Sequence, residues 1–120
     1  MAKIWRYRYK APPPMLVVLY NGIRVAELQE YTQGYIFRYL PAFRDMNLTP
    51  FPGLTLEMGD IPFEELPAFF QERLPDMRRP EIQQRIRELQ VDQDDELRLL
   101  SELGSHAVTD PFELKLVAAA

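Results

Sequence analysis

After Lys3 the first ten residues alternate strictly, with Ile4, Arg6, Arg8 and Lys10 on one side and Trp5, Tyr7 and Tyr9 on the other. A period of two is that of a β-strand. Ala11 to Pro14 then form a polyproline linker that cannot join a ladder. Residues 1–14 are therefore an N-terminal addition, and residues 15–120 are the domain proper. Met15 to Tyr20 is an apolar run, and Ile23 to Leu28 begins with alternating apolar residues. Between them stands Asn21-Gly22, the strongest short hairpin signal, because both central residues of a type I′ turn need positive φ. Gly34 introduces a third strand ending at Leu40, with Tyr35, Phe37 and Tyr39 on one side and Ile36 and Arg38 on the other. Pro41 to Pro52 carries three prolines and no sustained period, which reads as a crossing loop with a helical turn around Phe43 to Met46. Leu54, Leu56 and Met58 alternate with Thr55 and Glu57 and predict a fourth, half-buried strand.

The period then changes. Glu64 to Arg73 reads as a helix in which Leu66, Phe69 and Phe70, at i, i+3 and i+4, form one face. Pro67 is tolerable only in its first turn, so the helix starts late. Pro80 suits the first position of a second helix, where Ile82, Ile86 and Leu89 make a narrow apolar stripe. Asp92 and Asp95 form a capping pair for a third helix, whose buried side is Leu97, Leu100 and Leu103. Gly104 is placed as its C′ residue, with positive φ expected. A last strand runs from Phe112 to Val117, alternating Phe112, Leu114 and Leu116 with Glu113 and Lys115. The fold class predicted is α+β: a small antiparallel β-meander with three short helices packed on it and a returning C-terminal strand.

Composition adds limits rather than detail. With 120 residues, of which 47% are apolar and 27% charged, the chain is one ordinary folded domain able to bury about two-thirds of its unfolded surface. The formal charge of −4 argues against sequence-independent nucleic-acid binding by the whole surface. A local use of the basic strand Lys3 to Lys10 stays open, since bases stack on aromatic rings while Arg and Lys meet phosphate. The other reading of that strand is a solvated edge that buries its aromatic side. Cysteine is absent, which removes disulfides, thiolate metal sites and cysteine nucleophiles together. No signal-peptide run and no membrane-length apolar segment is present, so a cytoplasmic protein without membrane contact is expected.

Catalytic chemistry is hard to find. The single histidine, His106, follows Gly104 in a loop without a patterned set of metal ligands. The acidic run Asp92 to Glu96 lacks the arrangement of a calcium loop and falls where a helix start favours negative charge. Ser101 and Ser105 lack a glycine-flanked nucleophile turn, and no Gly-rich phosphate loop is present. No catalytic residue, metal or cofactor is expected, and the chain is expected not to be an enzyme. One positive lead remains. Leu74, Pro75, Asp76, Met77, Arg78 and Arg79 form a connection bounded by prolines, with its ends fixed by helices. A rigid loop carrying adaptable apolar and guanidinium groups suits partner recognition, because little ordering entropy is lost on binding. The plain alternative is a helix–helix turn with solvated charges.

The order of elements resembles the N-terminal subdomain of HipA-type serine/threonine kinase toxins. The matching stretches are VVLYNGIRVAEL for the hairpin, GYIFRYLPAF for the third strand, and LTLEM for the family's Leu-Ser-Leu-Pro-Leu segment. FFQERLPD is similar to Phe-Phe-x-x-Leu-Leu-Pro-Glu/Asp, and IQQRIRELQVDQDDELRLLSELG resembles the family's two helices and closing glycine. The resemblance covers Met15 to about Val117. HipA-type kinases continue into a phosphate-binding loop and catalytic and metal-binding aspartates, which this sequence does not reach. The resemblance therefore implies the separate, HipS-like form found in HipBST-type toxin–antitoxin systems, an antitoxin-like subunit that binds and neutralises a HipT-like kinase toxin. A HipB-like helix-turn-helix DNA-binding protein is a possible further partner, with no direct nucleic-acid contact expected. By analogy the segment facing the kinase is Leu74 to Arg79. Where family members place an aromatic residue after Leu-Pro-Glu-Gly, this chain has Met77 and Arg78, so one of these is the expected blocking group. Ser105 to Pro111 also intervene where the family continues directly into its next strand. The alternative function is a nucleic-acid-binding or transcription-regulatory accessory module using the N-terminal strand.

Overall fold

The computed structural model describes residues 14–31, 34–57 and 59–117. The basic strand expected between Lys3 and Lys10 lies outside them. Among the described residues five antiparallel strands form one sheet in the order β4-β3-β2-β1-β5. They are β1 (Met15–Tyr20), β2 (Ile23–Tyr31), β3 (Gly34–Tyr39), β4 (Ile61–Phe63) and β5 (Phe112–Val117), and the helices are α1 (Pro41–Asp45), α2 (Ala68–Gln71), α3 (Pro80–Leu89) and α4 (Glu96–Leu103). The fold is α+β, with the expected meander, helices and returning strand. The described residues form four helices rather than three, because the turn after β3 closes as α1 with Pro41 at its start.

The Asn21-Gly22 turn has both residues at positive φ, 50° and 81°, as a two-residue hairpin requires. The register of β1 against β2 shifts between Val18 and Leu19: Val18 faces Ala26, and Leu19 faces Arg24. Val25 is the extra residue of a bulge, which lets two successive residues, Val25 and Ala26, both enter the core. Leu16 and Val18 of β1, Leu28 of β2, Tyr35, Phe37 and Tyr39 of β3 and Leu114 of β5 complete the buried face of the sheet.

The fourth strand is not where the alternation of Leu54, Leu56 and Met58 suggested. Leu54 is buried, but Leu56 is exposed, and residues 54–57 form no strand. The Leu54 N–H donates to the Phe51 carbonyl (2.9 Å) and the Leu54 carbonyl accepts from the Tyr39 hydroxyl (2.5 Å), so local turns and a side chain take the groups a ladder would need. Ile61–Phe63 pair with β3 instead, Tyr35 facing Phe63 and Phe37 facing Ile61. Pro62 is tolerated there because β4 is an edge strand.

The layer above the sheet is aromatic. Phe51, from the stretch without periodicity, stacks on Phe69 at 3.9 Å with the rings 3° from parallel. It also meets Phe43 and Phe112 edge-on. Tyr39 holds it in place, its hydroxyl accepting from the Phe51 N–H at 2.9 Å. The α2 helix spans fewer residues than the predicted Glu64 to Arg73, because Pro67, with φ −59° and ψ 151°, caps it from outside. Leu66, Phe69 and Phe70 are nevertheless all buried. Helix α4 is capped by Asp95, whose side chain accepts from the Arg98 N–H. It lies between two clusters: Leu97 and Leu100 join the main core, while Leu99 packs with Ile86 of α3 and with Val91.

Gly104 has φ −122°, not the positive value expected of it. It is glycine for a different reason: a Cβ there would stand 2.8 Å from the Arg73 carbonyl oxygen. The residue that closes a helix in the left-handed conformation is Gln90, at φ 56° after α3.

Tyr39→Phe should cost about 1–3 kcal/mol, because it strips partners from two buried backbone groups at once. Burial raises the Tyr39 phenol above its usual 10. The unfolded chain therefore releases this proton first, and the contribution is intact below pH 10 and lost as pH rises through the folded value. Urea unfolding followed from pH 7 to 11 should show an alkaline loss that is smaller in Tyr39→Phe.

Candidate functional site

The expected recognition segment, Leu74 to Arg79, is preceded by Arg73, two residues beyond the end of α2. This side chain is only 3% exposed. Its position in the sequence pattern accounts for that, since it is i+7 from Leu66, i+4 from Phe69 and i+3 from Phe70, on the buried face. Nη1 donates to the Gly104 carbonyl (2.9 Å), and Nη2 donates to the Phe112 carbonyl (2.7 Å) and to the Asp110 carboxylate. The guanidinium also lies over the Phe69 ring, 5.3 Å from its centroid. Burial pulls its pKa below the usual arginine value, and the Asp110 charge acts in the opposite direction. Arg73 thereby ties α2, the end of α4 and the start of β5 to one point.

Leu74 packs against both hydrophobic clusters, and Pro75 is half-buried. The chain then turns sharply. The Arg79 N–H donates to the Asp76 carbonyl (3.2 Å), and the Asp76 carboxylate accepts from the Arg78 N–H (3.0 Å). The Arg78 guanidinium returns to the same carboxylate through Nε (3.1 Å) and Nη2 (3.3 Å). These bonds from Arg78 hold the Asp76 carboxyl below its ordinary 3.8. From the other side, the Gln83 amide donates to the Met77 carbonyl, and the Gln93 amide donates to Gln83 (2.6 Å).

Met77 was one of two expected outward groups, but its side chain packs against the cluster of Ile86, Val91 and Leu99. An apolar side chain next to that cluster is worth more buried than displayed. Arg78 is the outward one, its side chain 90% exposed. Arg79 is also exposed and lies 4.0 Å from Glu81. The segment thus divides into a buried anchor of Leu74 and Met77 and an exposed face of Asp76, Arg78 and Arg79.

Ser105 and His106, which carry no catalytic pattern in the sequence, come together in the structure. Ser105 Oγ lies 3.2 Å from His106 Nδ1, and His106 Nε2 lies 3.1 Å from Glu113. All three stand at the surface with His106 three-quarters exposed, where water screens any charge that would develop on a reacting group. Among the described residues no cluster of three or more His, Asp or Glu side chains is placed to hold a metal ion. None of their helices is long and apolar enough to cross a membrane.

A family model described as the HipA N-terminal domain matches residues 16–108. The chain belongs to this family. The match runs from β1 through α4 into the following loop, so Arg73 and the turn fall within the HipA N-terminal domain region while β5 lies beyond it. No curated protein matches the chain. Family membership supports a toxin–antitoxin setting for this HipA N-terminal domain.

Arg73→Ala should destabilise the fold by about 3–5 kcal/mol, since it leaves the Asp110 charge and two carbonyls without their partner. Thermal melts would register this, whereas Arg78→Ala should leave the midpoint unchanged. The lowered Asp76 pKa gives a second test. Its ties are present above the ordinary 3.8 and are lost as pH falls through the lower folded value. The Arg78 amide resonance should therefore move in an acid titration, and Asp76→Asn should abolish that step.

Proposed function

We propose that the chain is a non-enzymatic, antitoxin-like subunit of a HipBST-type system that binds and neutralises a HipT-like serine/threonine kinase in the cytoplasm. The turn from Leu74 to Arg79 is the part presented to the kinase, and a HipB-like DNA-binding protein is a further member of the assembly. Membership of the HipA N-terminal domain family supports the setting.

The observation that carries the reading is the construction of the turn. Residues 76–79 are held by their own carboxylate, by two glutamine side chains and by a buried methionine, while Arg78 projects into water. A surface that is already ordered loses little entropy on association, which suits a loop that must enter and occupy another protein's site. The sheet offers little alternative. On β5 the N–H groups of Phe112, Leu114 and Leu116 already donate to Asp110, Ser105 and Ser101, and β4 is three residues long with a central proline. Recognition through side chains at the turn is thus favoured over addition of a partner strand.

Co-expression with a HipT-like kinase encoded beside it should restore growth to cells that the kinase arrests, and the two proteins should co-purify as a stable complex. Failure to co-purify would overturn this function.

A further inference from the structure

The function proposed above leaves open what chemistry the turn meets on its partner, and the orientation of one guanidinium addresses that. We infer that the outer edge of Arg78 is a fork for a carboxylate of the partner protein, and that Asp76 is the positioning residue that aims it. The inference rests on the proposed kinase-binding role.

Arginine carries five N–H donors in a fixed plane. Asp76 occupies the side edge of Arg78, Oδ1 taking Nε at 3.1 Å and Oδ2 taking Nη2 at 3.3 Å. The edge formed by Nη1 and the second N–H of Nη2 points away from that contact. Two parallel donors on this edge match the two oxygens of a carboxylate, a geometry that lysine cannot reproduce. Long surface arginines ordinarily sample many rotamers, and that freedom is lost on binding. Here the loss is reduced in advance, because the Arg78 backbone N–H is bound to the same carboxylate that holds its side chain. The backbone beneath is pinned as well, through Met77 and Gln83.

Asp76 also selects among oxyanions. A group seated on the outer edge lies within a Debye length of the Asp76 charge, about 8 Å at physiological salt. With Asp76 bound to its side edge the Arg78 fork is close to neutral overall. The cost of taking an oxyanion out of water grows with the square of its charge, so a dianionic phosphoryl group loses more than a carboxylate on being seated there. The turn therefore favours a side-chain carboxylate of the kinase over a bound nucleotide.

The kinase that co-purifies with the wild-type chain is the probe. Its affinity would be measured for the wild type, Arg78→Ala, Arg78→Lys and Asp76→Asn, each with and without Mg-ATP. Arg78→Ala should weaken Kd about 10- to 100-fold, as truncation of an arginine anchor does. Arg78→Lys should recover little of this, Asp76→Asn should show a smaller loss, and all variants should keep the wild-type melting temperature. Mg-ATP should leave the pattern unchanged. Wild-type affinity in Arg78→Lys would show that a point charge suffices and would overturn the fork. So would wild-type affinity in Arg78→Ala, or an Arg78 contribution seen only with nucleotide bound. No binding by the wild type would instead remove the kinase-binding role itself.

Discussion

The Arg73 guanidinium joins three parts of the chain that hydrophobic packing alone would leave free to slide. It bonds the end of α4 through the Gly104 carbonyl and the start of β5 through Asp110 and the Phe112 carbonyl, while lying against the Phe69 ring of α2. Removing such a group from water costs several kcal/mol, and charge-assisted hydrogen bonds offset that cost only when the geometry is satisfied. One donor, Nε, has no partner among the described residues. The value of the contact lies mainly in specificity: apolar surfaces fit in many ways, but three acceptors around one planar cation fit in one.

That constraint sets the conditions for what flanks it. Beyond Gly104 the loop carries Ser105, whose carbonyl accepts from Leu114, and Asp110, whose carboxylate accepts from Phe112. On the other side, Leu74 enters the core within one residue of the clamp, so the turn at 76–79 starts from a fixed base. The exposed face of the turn is therefore an extension of the core rather than an appended loop, with Met77 as the link between them.

Much of this was legible in the chain. The Asn21-Gly22 hairpin, β3, α3 beginning at Pro80, α4 and the final strand all follow from local chemistry, and all are present, although α4 is capped by Asp95 alone rather than by an Asp92–Asp95 pair. Their signals are strong because turn residues and period agree. The misses share a cause: they depend on contacts distant in sequence. Phe51 sits in a stretch without periodicity, and its role is set by Tyr39 and Phe69. The alternation at Leu54 to Met58 was a true local pattern overruled by turns and by the Tyr39 hydroxyl. Gly104 stands at the expected helix end for a different reason, since the crowding comes from Arg73. Arg73 itself did leave a trace, as a charged residue continuing the apolar stripe of Leu66, Phe69 and Phe70. At the turn, composition marked the segment, but only packing could separate Met77 from Arg78.

The arrangement of β5 has a consequence for how such a small protein exists before it meets a partner. An antiparallel sheet with an open margin is a template on which further copies can polymerise. Here the outward amides of the last strand are consumed by a serine hydroxyl, a loop carbonyl and an aspartate, and the opposite margin is too short and proline-bearing to propagate. Among the described residues neither margin of the sheet thus leaves an open row of donors on which a strand of a second copy could add.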